Sequence, residues 1–186
     1  MMERTLVLVK PDAMRKNLGE QIIRRYTDAG LKVVASKTVQ ADRELAEKHY
    51  PETDSQVVGM GNKTIRAAQE IGKPESVKEA FGTDDPKEVG MQLRERLIKF
   101  ITSAPVIAVV LEGEDAIQQV RKITGYTDPS RAEKGTIRGD WGEDSIAKAT
   151  SEGRATENLV HASGNPEEAE FEIGLWFGKE ELYAGF

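Results

Sequence analysis

Short apolar runs rich in β-branched residues alternate with amphipathic helical segments along this chain, and this alternation constrains the fold more than any other feature. The strongest run, residues 105–111, is almost entirely apolar and predicts a buried central strand. Residues 5–9 and 31–39 predict two more strands, and Leu159-Val160 predicts the end of a fourth. Helical spacing of apolar residues predicts helices between these strands, over residues 18–29, 43–50, 91–101 and 114–124.

The order of these elements favours one sheet and leaves a second one open. Strand, helix, strand, helices, strand, helix, strand and helix fit an α/β (α+β) fold with a ferredoxin-like βαββαβ core, an antiparallel four-stranded sheet and extra helices. A doubly wound parallel sheet is the alternative, because the order of elements along a chain does not fix the order of strands.

Two stretches interrupt the rhythm. Residues from about 51 to 93 carry glycines and prolines between helical patches at 64–71 and 76–81, which predicts an inserted helical subdomain. Residues from about 125 to 157 are polar and have no sustained period, as is typical of a long functional loop. With 186 residues, we expect one domain, 1–186, that contains both stretches.

Composition narrows the classes of function. The net charge is −6, which argues against a broad nucleic-acid surface and makes nucleic acid an unlikely partner. There is no cysteine, so disulfides and thiolate metal sites are excluded. No stretch approaches the length of a membrane span, and we expect a cytoplasmic protein with no membrane association.

His161 is the first candidate for chemistry. It follows the apolar pair Leu159-Val160, and Asn165, Pro166 and Glu168 then have the form of a helix N-terminus. The free N–H groups at such an end favour an anionic ligand, so this stretch predicts a phosphate site. Ser163 and Glu172 could each hold one ring nitrogen of His161, although a lone histidine at a strand end is more often a packed or solvent-facing residue.

Candidate partners of a polyphosphate lie elsewhere in the chain. Lys10 ends the first strand, Arg121 precedes the long loop, and Thr127 and Arg138 lie within it. Taken singly, the arginines are more often solvated surface charges. The segment 59–64 has the look of a phosphate loop, but it lacks the glycine-lysine pair and follows no predicted strand.

Six motifs in order resemble those of the nucleoside diphosphate kinase family. They are Val9-Lys10-Pro11-Asp12, His49-Tyr50, Ser103-Ala104-Pro105-Val106, Leu111-Glu112-Gly113, residues 135–140 (GTIRGD), and Asn158 to Ser163 (NLVHAS) followed by residues 172–177 (EIGLWF). The resemblance runs over about residues 3–50 and 97–186.

The resemblance implies a catalytic machinery. It implies Mg²⁺-dependent, ping-pong transfer of a γ-phosphate through a phosphohistidine at His161. Glu172 and Ser163 would orient the imidazole, and Lys10 and Tyr50 would lie beside the transferred group. The implied substrates are ATP and other nucleoside tri- and diphosphates, with broad base specificity.

The same resemblance implies the nucleotide contacts. Arg121, Thr127 and Arg138 would hold the phosphates, and Lys10 with Asn158 would reach the ribose. Mg²⁺ would arrive bound to the nucleotide phosphates, so we expect no protein metal ligand.

The chain also departs from the family pattern. Where the family has a phenylalanine that stacks on the base, this chain offers Leu93 or a residue of the insertion, and we include Leu93 and Leu97 among the nucleotide-binding candidates. Gly164 replaces an aspartate, and Glu157 replaces an arginine for which Arg154 could substitute.

We interpret the insertion as the mark of a long subtype of the family. Family members are usually tetramers or hexamers, so the resemblance implies a homo-oligomer, in which residues 182–186 could dock on a neighbour. The alternative function is a catalytically silent nucleotide-binding or scaffold protein on the same fold, favoured if the insertion blocks the site.

Overall fold

A computed structural model of the chain describes residues 1–183. The strands are β1 (Met2–Val9), β2 (Lys32–Val39), β3 (Val106–Glu114) and β4 (Val160–Ala162). The helices are α1 (Pro11–Arg15), α2 (Gly19–Asp28), α3 (Arg43–His49), α4 (Asp54–Glu70), α5 (Glu75–Phe81), α6 (Pro86–Ile101), α7 (Ala116–Thr124), α8 (Ile137–Trp141), α9 (Ile146–Ser151), α10 (Pro166–Trp176) and α11 (Lys179–Tyr183). A 3-10 turn occupies Pro129–Arg131.

The four strands form one antiparallel sheet in the order β2-β3-β1-β4. This order confirms the ferredoxin-like core and shows that the parallel, doubly wound alternative is wrong. The central strands β1 and β3 pair along their whole length, from Met2 opposite Glu114 to Val9 opposite Ile107. The short β4 lies at the edge beside β1 and pairs His161 with Leu8.

Strand β1 is buried on both faces, which explains why its sequence is a continuous apolar run. Leu6 and Leu8 pack into a cluster that includes residues of α3, α6 and α10. Val7 and Val9 pack on the other face, in a cluster that includes residues of α2 and α7. The sheet therefore lies between two helical layers, and its β4 edge is free to border a site.

Part of the local prediction was wrong in the inserted region. Helix α4 begins at Asp54 rather than at residue 64, and α6 begins at Pro86 rather than at 91. The early turns of α4 contain Gly59 and Gly61, whose low helix propensity hid the helix in the sequence. Tertiary packing overrides that propensity.

Gly61 and Gly90 let α4 and α6 approach closely. A Cβ atom on Gly61 would lie 1.9 Å from the Pro86 carbonyl oxygen, and one on Gly90 would lie 1.9 Å from the Val57 carbonyl oxygen. Each helix thus presents a glycine to the backbone of the other. This pair of contacts fixes the rotation of α4 about its axis.

We expect Gly61→Ala to lower the free energy of unfolding by about 1–3 kcal/mol, because the two backbones must separate to admit the methyl group. Gly59→Ala is the matched control on the same helix, since a Cβ there meets nothing within 4 Å. The control should be neutral or stabilising by up to about 1 kcal/mol. Urea denaturation at fixed protein concentration measures both, and equal free energies for the two variants would contradict the packing argument.

The polar stretch after α7 is more ordered than its sequence predicted. It contains α8 and α9, and each begins at a hydroxyl cap. Thr136 Oγ1 accepts from the Gly139 N–H at 3.1 Å, and Ser145 Oγ accepts from the Lys148 N–H at 3.1 Å. Helices this short carry too little periodicity to be recognised.

A third, smaller cluster lies in the inserted region. Phe81, Val77 and Ala68 pack there against Val89 of α6. Among the described residues, no helix is both long and apolar enough to cross a membrane. Residues 184–186, which belong to the segment suggested to dock on a neighbour, lie outside the described residues.

Candidate active site

The backbone is unusual just before His161. Leu159 has φ +68°, a left-handed conformation that a leucine rarely adopts. Its N–H donates to Asp12 Oδ2 at 2.9 Å, and its carbonyl accepts from the Lys10 N–H at 2.9 Å. These bonds hold the start of β4 against the end of β1, so Lys10 and His161 share one end of the site.

His161 is the first member of a chain of hydrogen bonds. Its Nε2 lies 2.8 Å from Glu172 Oε1, and the other carboxylate oxygen accepts from Ser163 Oγ at 2.6 Å. The Leu6 N–H donates in turn to Ser163 Oγ at 3.2 Å. Because a carboxylate only accepts, a neutral His161 carries its hydrogen on Nε2 and its lone pair on Nδ1.

A second histidine, His49, packs against the ring of His161. The His49 ring stands edge-on to the His161 ring, with centroids 4.5 Å apart, and its Nδ1 accepts from Trp176 Nε1 at 3.3 Å. Burial lowers the pKa of His49 well below 6.5, and electrostatic interaction with His161 and with the Lys10 ammonium lowers it further. His49 is therefore neutral at pH 7.

Tyr50 is held at the end of α3 by a contact from helix α6. Arg94 Nε of α6 donates to the Tyr50 carbonyl at 2.6 Å. Burial raises the pKa of the Tyr50 hydroxyl, and the negative charge of Glu172 raises it further, so the hydroxyl is a donor at neutral pH.

Gly164 makes room for a carboxylate that comes from the next helix. Glu168 Oε2 accepts from the Gly164 N–H at 2.8 Å, and a Cβ on Gly164 would lie 2.7 Å from that oxygen. Asn165 Oδ1 accepts from the Glu168 N–H at 2.8 Å, so α10 begins with the capping arrangement that the sequence predicted. The acidic group beside position 164 in this chain is therefore the Glu168 carboxylate, which comes from helix α10.

Two buried cations, Lys10 and Arg138, line the same cleft as the imidazole of His161. Lys10 Nζ donates to Asn158 Oδ1 at 2.8 Å. The pKa of Lys10 is lowered to about 8, chiefly by burial and then by the charge of Arg138, while Asp12 opposes both effects. An anionic ligand here would offset the cost of burying these cations.

Arg138 holds the site together as well as facing it. Its guanidinium donates to the carbonyls of Asn158 (3.0 Å), Gly125 (2.9 Å) and Val160 (2.7 Å). Burial lowers its pKa to about 10, so it stays charged at pH 7. Three of its five N–H groups are thus used on the backbone, which leaves two for a ligand.

These side chains line one cleft of about 640 Å³, a volume suited to a nucleotide. Ser163 does not line the cleft; it is fully buried and acts behind Glu172. The other predicted site residues all line it: Lys10, Tyr50, Leu93, Leu97, Arg121, Thr127, Arg138, Asn158, His161 and Glu172.

The residues suggested as replacements for family positions have other partners. Arg154 lines the cleft, but its Nη atoms lie 2.6 and 2.9 Å from the two carboxylate oxygens of Asp144, and its Nε lies 2.7 Å from Glu152. Glu157 pairs with Arg15 at 2.6 Å. Arg154 is therefore already neutralised by the loop that carries it.

Two features of the site were underestimated from the sequence. From the sequence His49 was only a member of a motif, but its ring contacts the His161 ring, with centroids 4.5 Å apart. The segment 59–64, set aside as a false phosphate loop, is part of helix α4, and Gly59, Met60, Lys63 and Thr64 line the cleft. A signal for this was present in the sequence: residues 56, 59, 60, 63 and 64 recur at three- and four-residue intervals, which places them on one face of a helix.

The arrangement suits one kind of chemistry. A neutral imidazole with an oriented lone pair is a nucleophile, and neighbouring cations can stabilise charge that develops on phosphoryl oxygens. Fold and site together are those of a phosphotransferase.

Comparison with known proteins identifies the family of phosphotransferases to which the chain belongs. The family model described as nucleoside diphosphate kinase matches residues 3–60 and 86–182. The chain is 46% identical to the nucleoside diphosphate kinase of Pyrobaculum aerophilum, over 97% of both chains, and 41% identical to that of Pyrococcus furiosus, over 97% of this chain and 86% of the other. The chain belongs to the nucleoside diphosphate kinase family.

Solved structures agree with the assignment. An NDP kinase from Pyrobaculum aerophilum superposes with a TM-score of 0.91 at 45% identity and covers 98% of this chain and 99% of its own. The nucleoside-diphosphate kinase of Borrelia burgdorferi, in a transition-state mimic with bound vanadate and ADP, has a TM-score of 0.74 at 33% identity, over 97% of this chain and 89% of the other. The unmatched internal residues 61–85 fall within the inserted region.

Proposed function

We propose that this nucleoside diphosphate kinase transfers the phosphoryl group through a phosphohistidine formed on His161 Nδ1. The observation that carries this proposal is the 2.8 Å contact between His161 Nε2 and Glu172, which leaves the lone pair on Nδ1. His161 retains 20% side-chain exposure at the cleft, so the inserted region does not block it. The comparisons give no support to the alternative of a catalytically silent protein.

The reaction would consist of two mirror-image halves. Nδ1 attacks the γ-phosphorus of a nucleoside triphosphate, an N–P bond forms, the bond to the β,γ-bridging oxygen breaks, and the nucleoside diphosphate leaves with that oxygen. In the second half, a terminal oxygen of another nucleoside diphosphate attacks the phosphohistidine, and the electron pair returns to Nδ1. No net proton or electron is consumed.

The remaining side chains would position and stabilise the transferred group. Lys10 and Tyr50 lie at the His161 end of the cleft, where an ammonium and a phenol can donate to phosphoryl oxygens. Arg121, Thr127 and Arg138 would hold the other phosphates. Asn158, already bonded to Lys10, would reach the ribose with it.

Mg²⁺ fits this scheme as a companion of the nucleotide. Among residues 1–183, the one group of three side chains able to hold a metal is His49, His161 and Glu172, and Glu172 is already bonded to His161. When bound through the nucleotide phosphates, Mg²⁺ would supply charge neutralisation at the phosphoryl group.

We also propose broad acceptance of nucleoside tri- and diphosphates, a cytoplasmic location and a homo-oligomer, either a tetramer or a hexamer. The oligomer can be tested by measuring mass in solution.

The intermediate is tested with the wild-type protein. Incubation with γ-labelled ATP and Mg²⁺, followed by rapid denaturation at alkaline pH, should leave one acid-labile label per chain. Peptide mapping should place it on His161 rather than on His49, the other histidine of the chain. Transfer activity without any protein-bound label would overturn the phosphohistidine and leave the kinase assignment standing.

The titration of Lys10 gives a second prediction. Its pKa is lowered to about 8, so the ammonium loses its proton above that pH and with it the charge that meets the phosphates. We expect kcat/KM, which reports the free enzyme, to fall about tenfold per pH unit above pH 8. Lys10→Arg should lower activity but remove this alkaline limb, because a guanidinium stays charged. An unchanged limb in the arginine variant would exclude Lys10 as its source.

A further inference from the structure

Asp12 is a buried carboxylate that does not line the cleft. It is 2% exposed and belongs to α1, the helix that begins directly after Lys10. One of its oxygens, Oδ2, accepts from the Leu159 N–H at 2.9 Å, and the other, Oδ1, is buried and has no hydrogen-bond partner among residues 1–183. A carboxylate buried in this way costs free energy unless nearby charges compensate for it.

The compensating charges are two buried cations, Lys10 and Arg138. Burial is the strongest influence on the pKa of each cation and lowers it, whereas the negative charge of Asp12 raises the pKa of both. The two cations also repel each other, because the charge of Arg138 lowers the pKa of Lys10. Asp12 therefore stabilises a pair of like charges that the site brings together.

The same carboxylate holds the backbone that leads to His161. Leu159 has the left-handed φ of +68°, which is unfavourable for a leucine and needs support from its surroundings. Asp12 binds the Leu159 N–H, and the Lys10 N–H donates to the Leu159 carbonyl at 2.9 Å. Lys10 Nζ then donates to Asn158 Oδ1 at 2.8 Å, so the charged groups and the strained backbone form one connected unit.

We propose that Asp12 is a positioning residue for phosphoryl transfer, a buried counter-charge for Lys10 and Arg138 that also fixes the backbone leading to His161. The proposal rests on the proposed function, because it takes Lys10 as the ammonium that meets the phosphates. A nearby negative charge favours the protonated form of a lysine. Without that charge, Lys10 should lose its proton at a lower pH, whereas a carboxylate that only held the backbone would leave the pH profile unchanged.

Other titratable groups surround Lys10. Arg138 of α8 and Asp12 of α1 act on its pKa, and Lys10 in turn lowers the pKa of His49 of α3. Further titratable groups line the same cleft from the end of α3, from α7, from β4 and from α10: Tyr50, Arg121, His161 and Glu172. All of them are present in the wild-type protein and in an Asp12 variant. The ratio of the two pH profiles therefore isolates the effect of the Asp12 charge.

The experiment measures kcat/KM from pH 6 to pH 9 for the wild-type protein and for Asp12→Asn, with ATP as the donor and one fixed nucleoside diphosphate as the acceptor. Asparagine removes the charge but keeps an oxygen that can accept from the Leu159 N–H. We expect the ratio of the variant's kcat/KM to the wild-type value to fall about three- to tenfold between pH 6 and pH 9, which corresponds to an alkaline limb shifted down by about half to one pH unit. If circular dichroism shows that Asp12→Asn does not fold, Asp12→Ser carries the same expectation, since it also removes the charge and keeps an acceptor.

Two controls test whether the effect passes through Lys10. In a Lys10→Arg background, Asp12→Asn should change the ratio by less than about twofold over the same pH range, because a guanidinium stays charged. Asp144→Asn is the matched control for charge: Asp144 is also a buried aspartate, but its two oxygens are bonded to Arg154. Whatever the level of activity in this control, its ratio to the wild-type value should stay constant with pH.

Each outcome decides the role of Asp12. A ratio for Asp12→Asn that is constant from pH 6 to pH 9 would overturn the proposal and leave the kinase mechanism standing. An equal fall in the Lys10→Arg background would show that Asp12 does not act through Lys10, and an equal fall in Asp144→Asn would assign the effect to overall charge; either result also overturns it. If the wild-type protein forms no phosphohistidine, the proposed function itself is wrong, and the role of Asp12 falls with it.

Discussion

Replacing His161 by asparagine should reduce phosphoryl transfer by at least about 10⁴-fold and abolish the protein-bound label. An amide has no lone pair on nitrogen that can attack phosphorus, so the two-step route is closed and only direct transfer between nucleotides is left. Asparagine keeps a polar group beside Glu172 and creates a smaller gap next to His49 than alanine would. Coupled assay of NDP formation and labelling with γ-labelled ATP measure the two effects.

The control for this variant is nucleotide binding. The contacts proposed for the phosphates and ribose come from other side chains, so the Kd for ADP measured by calorimetry should stay within about threefold of the wild-type value. Loss of both binding and transfer would indicate a misfolded variant, in which case His161→Gln repeats the test. Retention of more than a few per cent of activity with intact binding would refute the nucleophile.

The fold was predictable because its signals are local. The run at residues 5–9 is apolar at every position but one, and β1 proves to be buried on both faces between two helical layers. The helix after Asn165 could be predicted because Asn165, Pro166 and Glu168 form a recognisable N-terminal cap, and the structure contains the predicted hydrogen bond. Strand order was not encoded locally, and only the observed pairings separated the antiparallel sheet from the parallel one.

Helix α4 shows why the inserted region was harder to predict. Gly59 and Gly61 lower its intrinsic helix propensity, yet Gly61 is what allows it to lie against α6. Gly61, which makes a close contact with the backbone of Pro86 far along the chain, looks like a helix breaker when its segment is considered alone. The same helix lines the cleft, so the missed element was also a missed wall of the site.

For the site, too, the sequence predicted individual residues but not the contacts between distant parts of the chain. The motifs identified His161, Glu172 and Lys10 one by one. Their roles depend on distances between their side chains, which the spacing of residues along the sequence does not give. Arg138 was expected to face phosphates, and the structure also shows it bonded to three backbone carbonyls, which ties the loop to β4. The partners of Arg154 likewise became visible only when Asp144 was placed beside it.

Glu172→Gln should lower kcat by about 10²–10³-fold while leaving nucleotide binding nearly unchanged. The expected role of Glu172 is that of a positioning residue, because its two oxygens accept from His161 Nε2 and from Ser163 Oγ. An amide that keeps the bond from Ser163 to its oxygen turns its NH₂ group toward Nε2, which moves the imidazole hydrogen to Nδ1 and blocks the nucleophile. In a serine-protease triad the corresponding carboxylate-to-amide change costs about 10⁴-fold for the same reason.

The loss should be smaller here because the amide has a second arrangement. Ser163 Oγ also lies 3.4 Å from the Leu6 carbonyl, so it can turn its hydrogen there and accept from the glutamine NH₂ group, which leaves the amide oxygen to face Nε2. Glu168→Gln is the matched control, since it removes one charge from the same helix without contacting His161, and it should change kcat by less than about threefold. The rate of phosphohistidine formation in a single turnover separates the two variants. Equal losses in both would mean that helix charge, and not the tautomer of His161, is what Glu172 provides.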